Sequence, residues 1–266
     1  MKNNVKNILC FDVEFWYDSE FIKKRYKRDM LKKGLRTVIE ILDKTNAKAT
    51  FFVTGKVIEK YPYEIKKICQ KGHEIASHGY THKMINKMSK KDFEKEIKDS
   101  VKIITKNLGK KPLGFRAPSW SVSKKEFWIY DILKKNGFKY SSSIFPVNLR
   151  LYGENKLPLF KFKIKDIVEF PITPFVLFGI RIPFSGGIYF RIWPLKIIEY
   201  FIKKMNKNGE RVILYLHPWE FCMDLPKVKT SFLGKIATYY GIKKTKVKFE
   251  GLLKKFQFVS FKDTLL

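Results

Sequence analysis

The sequence predicts an α/β fold on a mainly parallel sheet, and three observations carry that expectation. Short apolar runs of strand length alternate with longer stretches of helical period. Capping and stop residues punctuate the helical stretches. Acids, histidines and an arginine fall at or just past the C-terminal ends of the apolar runs, which in α/β barrels is the rim where active sites are built. The alternation leaves the sheet free to be open or closed.

The elements follow in order. Ile8–Phe11 reads as a buried strand and runs into Asp12. Leu35, Val38, Ile39 and Leu42 recur at helical spacing. Ala49–Val53 is the next strand, closed by Gly55, and Tyr61–Gln70 is a helix ending near Gly72. Glu74–Ala76 is a third strand, ending in a histidine segment. Ser89 and Asp92 form a capping box, after which Phe93, Ile97, Val101, Ile104 and Leu108 draw one apolar stripe that Gly109 stops. Leu113–Phe115 is a strand that leads into Arg116. Ser123 and Glu126 cap a helix through Leu133, stopped at Gly137. Phe138–Tyr140 and Ile167–Phe170 are short strands. Leu195–Met205 is helical, Val212–Leu216 is a strand, and Gly251–Phe256 lies in a last helical stretch.

With no internal repeat and no low-complexity linker, a single domain over residues 1–266 is expected. Hydrophobic content of 45% with 30% charged residues suits a globular protein. The charge is unusual: Lys+Arg 55 against Asp+Glu 25 gives +30. Such a field attracts polyanions, among them nucleic acid, anionic lipid headgroups, sugar nucleotides and lipid pyrophosphates. The lysines are spread in pairs, such as Lys66-Lys67 and Lys203-Lys204, mostly over helix faces. No RNA- or DNA-binding motif accompanies them, so nucleic acid is not expected as a partner. Cys10, Cys69 and Cys222 form no C-x-x-C pair and read as free thiols of a reducing compartment. The N-terminal apolar stretch is too short for a signal-peptide core, so a cytoplasmic location is expected. Phe170–Phe184 is the most apolar region, but Pro171, Pro174, Gly179, Arg181 and Pro183 exclude a membrane span. Peripheral contact with an anionic membrane surface is the expectation there.

His78 and His82 stand at H-x-x-x-H spacing. On a helical turn both imidazoles would share a face and reach one ion. Asp12 and Glu14, two apart in an extended strand, point to one side. One can ligate the ion while the other takes a proton from water. His73, before a strand, reads as structural. Ser185–Arg191 carries glycines that permit close backbone approach, and Tyr189 or Arg191 could hold a sugar or phosphate. Trp120 and Trp219 flank these segments and could stack on a sugar ring.

Together, Phe11–Glu14, His73–His82, Arg116–Ser119, Ser185–Arg191 and Leu216–Glu220 resemble the polysaccharide deacetylases, the NodB-homology or carbohydrate esterase family 4 group. They are most similar to a branch associated with cell-surface polysaccharide biosynthesis. The resemblance implies a distorted (β/α) barrel of the NodB-homology type with seven strands. It implies a metal-dependent N-deacetylase acting on an N-acetylated amino sugar that is a glycan, lipid-linked or nucleotide-linked. Glu14, His78 and His82 would hold a divalent ion, zinc as first choice. Asp12 would be the general base, His217 the general acid and Arg116 the residue that holds the base. A main-chain N–H near Ser119 would face the oxyanion, with Ser119, Trp120, Tyr189, Arg191 and Trp219 toward substrate. The commoner family pattern has adjacent aspartates, where here Val13 separates two acids. The usual aspartate that tunes the acid histidine is replaced by Glu169 or Glu220. The rival readings are a hydrolase of another C–N amide and a non-catalytic glycan- or nucleic-acid-binding protein.

Overall fold

A computed structural model describes residues 5–19, 21–22, 26, 28–147, 153–154 and 156–265. In chain order it forms β1 (Asn7–Val13), α1 (Leu31–Thr45), β2 (Thr50–Val53), α2 (Gly55–Lys60), α3 (Pro62–Gln70), β3 (Glu74–Ser77) and α4 (Lys90–Leu108). Then come β4 (Gly114–Phe115), α5 (Ile129–Lys135), β5 (Tyr140–Ser141), β6 (Phe162–Ile164), β7 (Ile167–Glu169), β8 (Phe175–Leu177) and β9 (Ile180–Ile182). The chain ends with α6 (Gly187–Ile192), α7 (Leu195–Lys207), β10 (Ile213–Leu216), α8 (Phe232–Tyr239), α9 (Ile242–Leu253) and β11 (Phe258–Val259). The described strands other than β8 and β9 belong to a nine-stranded sheet. β1, β2, β3, β4, β5, β7 and β10 are its seven expected strands, and the short β6 and β11 add to them.

The chain divides into two compact units. In the unit of residues 50–182, β2, β3, β4, β5 and β7 follow one another as parallel neighbours, and β6 closes antiparallel on β7. Phe93 and Ile97 of α4 pack with Phe115, Ile129, Tyr130, Leu133 and Phe138 in one buried cluster. The predicted capping box forms: Asp92 N–H donates to Ser89 Oγ at 3.1 Å and Ser89 N–H to Asp92 Oδ2 at 3.3 Å. Gly109 ends the helix in the left-handed region at φ 71°. The Ser123–Glu126 box instead caps a single 3-10 turn, and α5 starts later, at Ile129. β8 and β9 form a separate antiparallel hairpin.

In the unit of residues 1–49 and 183–266, β10 pairs parallel with β1 in the register Ile8–Ile213 to Phe11–Leu216. Asp12 and His217 are therefore the next residues of the two neighbouring chains. Phe11, Phe221 and Phe249 form a ring triangle with centroids 5.4 to 6.3 Å apart. The glycine approach expected at Ser185–Arg191 is made to this strand. Gly186 bridges Tyr215, and a Cβ on Gly186 would run into the Tyr215 ring.

Candidate functional site

Four strand ends present the chemistry. β1 ends at Val13, inside the Asp12–Glu14 pair, and β3, β4 and β10 end one residue before His78, Arg116 and His217. Asp12, Glu14, His78, His82, Arg116, Trp120, Arg191 and Trp219 are buried. Ser119, Tyr189 and His217 are partly exposed.

The histidine segment is a loop, where the sequence suggested a helical turn. Gly79 takes φ 74° and His82 φ 60°, so the chain reverses through left-handed residues. The imidazoles still meet, with ring centroids 5.0 Å apart. α4 holds the loop in place. Glu96 accepts the N–H groups of Tyr80 and Thr81, each at 2.9 Å, and the Thr81 hydroxyl at 2.7 Å. Ser77 Oγ lies 2.5 Å from Ser100 Oγ and accepts the Gly79 N–H at 3.2 Å. Sequence reasoning missed Glu96. Its one signal was its position in the helix that directly follows the histidines.

Glu14, His78 and His82 each offer a ligand atom, and these atoms lie within 4.8 Å of one another. A metal fits this set on a second count. His78 Nδ1 lies 2.8 Å from the Arg116 carbonyl, which can only accept, so Nδ1 carries the proton and Nε2 keeps a lone pair that can ligate a metal. Two imidazoles and one carboxylate are a ligand set that leaves coordination positions open.

Arg116 donates through Nε to Ser142 O at 3.0 Å and through Nη2 to Ser142 Oγ at 2.9 Å. Its guanidinium lies over Phe52 and Trp120, 4.2 and 4.7 Å from the ring centroids. Beside it, Ser119 and Trp120 adopt left-handed φ of 52° and 51°. Glu169 is committed elsewhere in the fold. It accepts Ser143 N–H at 2.7 Å, Ile144 N–H at 3.0 Å and the Tyr130 hydroxyl at 2.9 Å.

Glu220 is the carboxylate at His217. Its Oε1 lies 3.4 Å from His217 Nδ1, while His217 Nε2 lies 3.7 Å from Glu14 Oε1. The His217 ring stacks on Trp219 at 5.2 Å. Burial works against the imidazolium, but Glu220, then Glu14 and Asp12, outweigh it and push the His217 pKa up to about 9. Glu220 is in turn 3.3 Å from Arg191 Nε. Burial disfavours its charge, yet Arg191 and His217 prevail and hold the carboxyl below its ordinary value. The rest of the Arg191 guanidinium donates to main-chain carbonyls at the end of α8: Thr238 at 3.3 Å, Tyr240 at 2.7 Å, and Ala237.

Residues 28–141 match the family described as Polysaccharide deacetylase, and residues 142–266 match a Domain of unknown function, DUF3473. The chain is similar to a peptidoglycan deacetylase of Helicobacter pylori, with 34% identity over 42% of this chain and 37% of that one. It is also similar to a peptidoglycan-N-acetylglucosamine deacetylase of Bacillus cereus, with 32% identity over 30% of each chain. The chain spans about a third of the length of the curated relatives it matches. A crystal structure titled probable polysaccharide deacetylase from Pseudomonas aeruginosa PAO1 superposes with a TM-score of 0.65 at 14% identity, over 97% of this chain and 88% of that one. The fold is thus the α/β type with a strongly curled, open sheet.

Proposed function

We propose a divalent-metal-dependent N-deacetylase, for a chain whose residues 28–141 match the polysaccharide deacetylase family and whose residues 142–266 match DUF3473. Its substrate is an N-acetylated amino sugar, carried on a glycan, a lipid or a nucleotide, in cell-surface polysaccharide assembly. The observation that carries this reading is the buried Glu14, His78 and His82 donor set, with His217 against Glu14. Residues 1–266 act in it as one catalytic domain. Cys10, Cys69 and Cys222 form no disulfide, which suits a cytoplasmic setting.

Glu14, His78 and His82 would hold the ion, with zinc as first choice. A bound divalent ion supplies an acidified water at neutral pH and a polarised amide carbonyl. Asp12 accepts the proton of the attacking water, and Arg116 orients that carboxylate. A main-chain N–H near Ser119 donates to the oxygen that gains charge. His217, protonated through its partnership with Glu220, gives its Nε2 proton to the nitrogen as the C–N bond breaks. An amine leaves poorly unless protonated, and a placed acid typically contributes ~10²–10⁴-fold. Trp120, Tyr189 and Trp219 contact the sugar. Arg191, engaged by α8 and Glu220, serves the site through Glu220.

The test is metal content of the purified protein together with acetate release from N-acetylated sugars, with and without chelator. We expect about one divalent ion per chain and chelator-sensitive acetate release. His78→Ala should lose the metal and the activity while keeping the fold by circular dichroism. Metal without acetate release from any sugar would turn the reading to another C–N amide. No metal after reconstitution would turn it to a non-catalytic binding protein.

A further inference from the structure

The β8–β9 hairpin is built the wrong way round for a water-facing turn. Its two-residue loop is Phe178-Gly179, with φ of 48° and 77°, the backbone of a type I′ turn. That turn favours Asn, Asp or Gly at its first position, and a bulky residue there is strained. Here the residue is a phenylalanine that is 95% exposed, and Ile180 beside it is 66% exposed. Val176 and Leu177 extend the same apolar tip. A strained, solvated phenylalanine does nothing for the fold that asparagine would not do better.

The segment to which the hairpin is tied is basic. Arg181 Nη1 donates to the carbonyls of Pro146 and Leu157 at 2.9 and 3.0 Å, which ties the hairpin to the segment around Leu157. Around Leu157 the chain displays exposed Lys156, Phe160, Lys161 and Lys163, between Glu154 and Asp166. An apolar tip with a basic border matches the layered chemistry of an anionic bilayer, where headgroup charge lies outside hydrocarbon. The whole chain carries +30, so a second copy would be repelled from this patch, whereas an anionic surface attracts it.

We propose that the β8–β9 hairpin inserts Phe178 and Ile180 into an anionic lipid surface, with the lysines of the neighbouring segment on the headgroups. This goes beyond the deacetylase reading and does not depend on it. The test is sedimentation of the full chain with phosphatidylcholine vesicles, with and without phosphatidylglycerol. Binding to the anionic vesicles is expected, weakened by salt. Phe178→Asn should fold as well as or better than wild type, because asparagine suits the turn, yet bind vesicles at least about tenfold more weakly. Phe178→Trp should add an emission component that shifts to the blue and is quenched by brominated lipid. The proposal is overturned if Phe178→Asn binds as wild type does, since lysines alone would then explain binding. It is equally overturned if wild type ignores anionic vesicles. Sedimentation velocity in which Phe178→Asn dissolves an oligomer would assign the patch to a second copy. A raised KM for a soluble glycan, without any vesicle binding, would assign it to substrate. Acetate release from a soluble sugar, measured without vesicles, is expected to be unchanged in Phe178→Asn. Failure of this proposal is thereby separated from failure of the deacetylase reading.

Discussion

His217 Nδ1 and Arg191 Nε approach the same oxygen, Glu220 Oε1, at 3.4 and 3.3 Å. Removing the charge of Glu220 strips His217 of its main support and leaves Arg191 buried without its counter-ion. Glu220→Gln should therefore cost about 3 kcal/mol of stability and lower kcat by ~10² or more, read by denaturant melts and acetate release. The pH dependence has a definite sign. A pKa raised from 6.5 to about 9 gives stability that is fully present below pH 6.5 and lost as pH rises through about 9. In chelator-treated protein, the stability gap between wild type and His217→Asn should narrow over that range; a constant gap would refute the pairing. At this scale the sequence was legible in residue type but not in partnership. Leu216–Glu220 offered Glu220, and Glu169 competed with it. The choice needed the three-dimensional fact that Glu169 already serves Ser143, Ile144 and Tyr130.

α4 acts as the splint of the histidine loop through Glu96. Glu96→Ala should weaken metal binding by roughly 10–100-fold, as loss of groups behind metal ligands does, measured by chelator competition. The helix itself should persist, since its apolar stripe and capping box are untouched. α1 supports the His217 side in a different manner: a Cβ on Gly34 would strike the Pro218 carbonyl. Gly34→Ala gains helix propensity but overpacks this contact. A net loss of about 1–3 kcal/mol is expected in melts, with a fall in kcat because His217 precedes the displaced turn. Long periodic elements such as α4 were legible from the sequence. The hairpin was not, because Pro171, Pro174 and Pro183 looked like breakers of one apolar run. They lie outside it, before Phe175 and after Ile182, and so frame two short strands. α8 was hidden by Gly234 and by β-branched and aromatic residues, which have weak helix propensity. α9 was read only at its end, because lysines dilute the stripe of Ile242, Thr245, Phe249 and Leu252.

For the molecule as a whole, the reading of residues 1–266 as one catalytic domain predicts a single cooperative thermal transition, coincident by calorimetry and circular dichroism. Two separated transitions would refute it. No described helix is long and apolar enough to cross a membrane. The strand-end placement of Asp12, Glu14, His78, Arg116 and His217 was legible because short apolar runs mark buried strands wherever the chain later takes them. The order of those strands was not, since parallel pairing joins segments as distant as Ile8 and Ile213. Arg191 gives the molecule one more property. The same guanidinium closes the end of α8 and faces Glu220, so the position of α8 and the proton affinity of His217 share one free energy. A ligand that shifted α8 would change the proton affinity of His217 without touching it, and by reciprocity a proton on His217 would act back on α8 in equal measure. One guanidinium in the segment that matches DUF3473 thus joins a helix end to the electrostatics of a strand end.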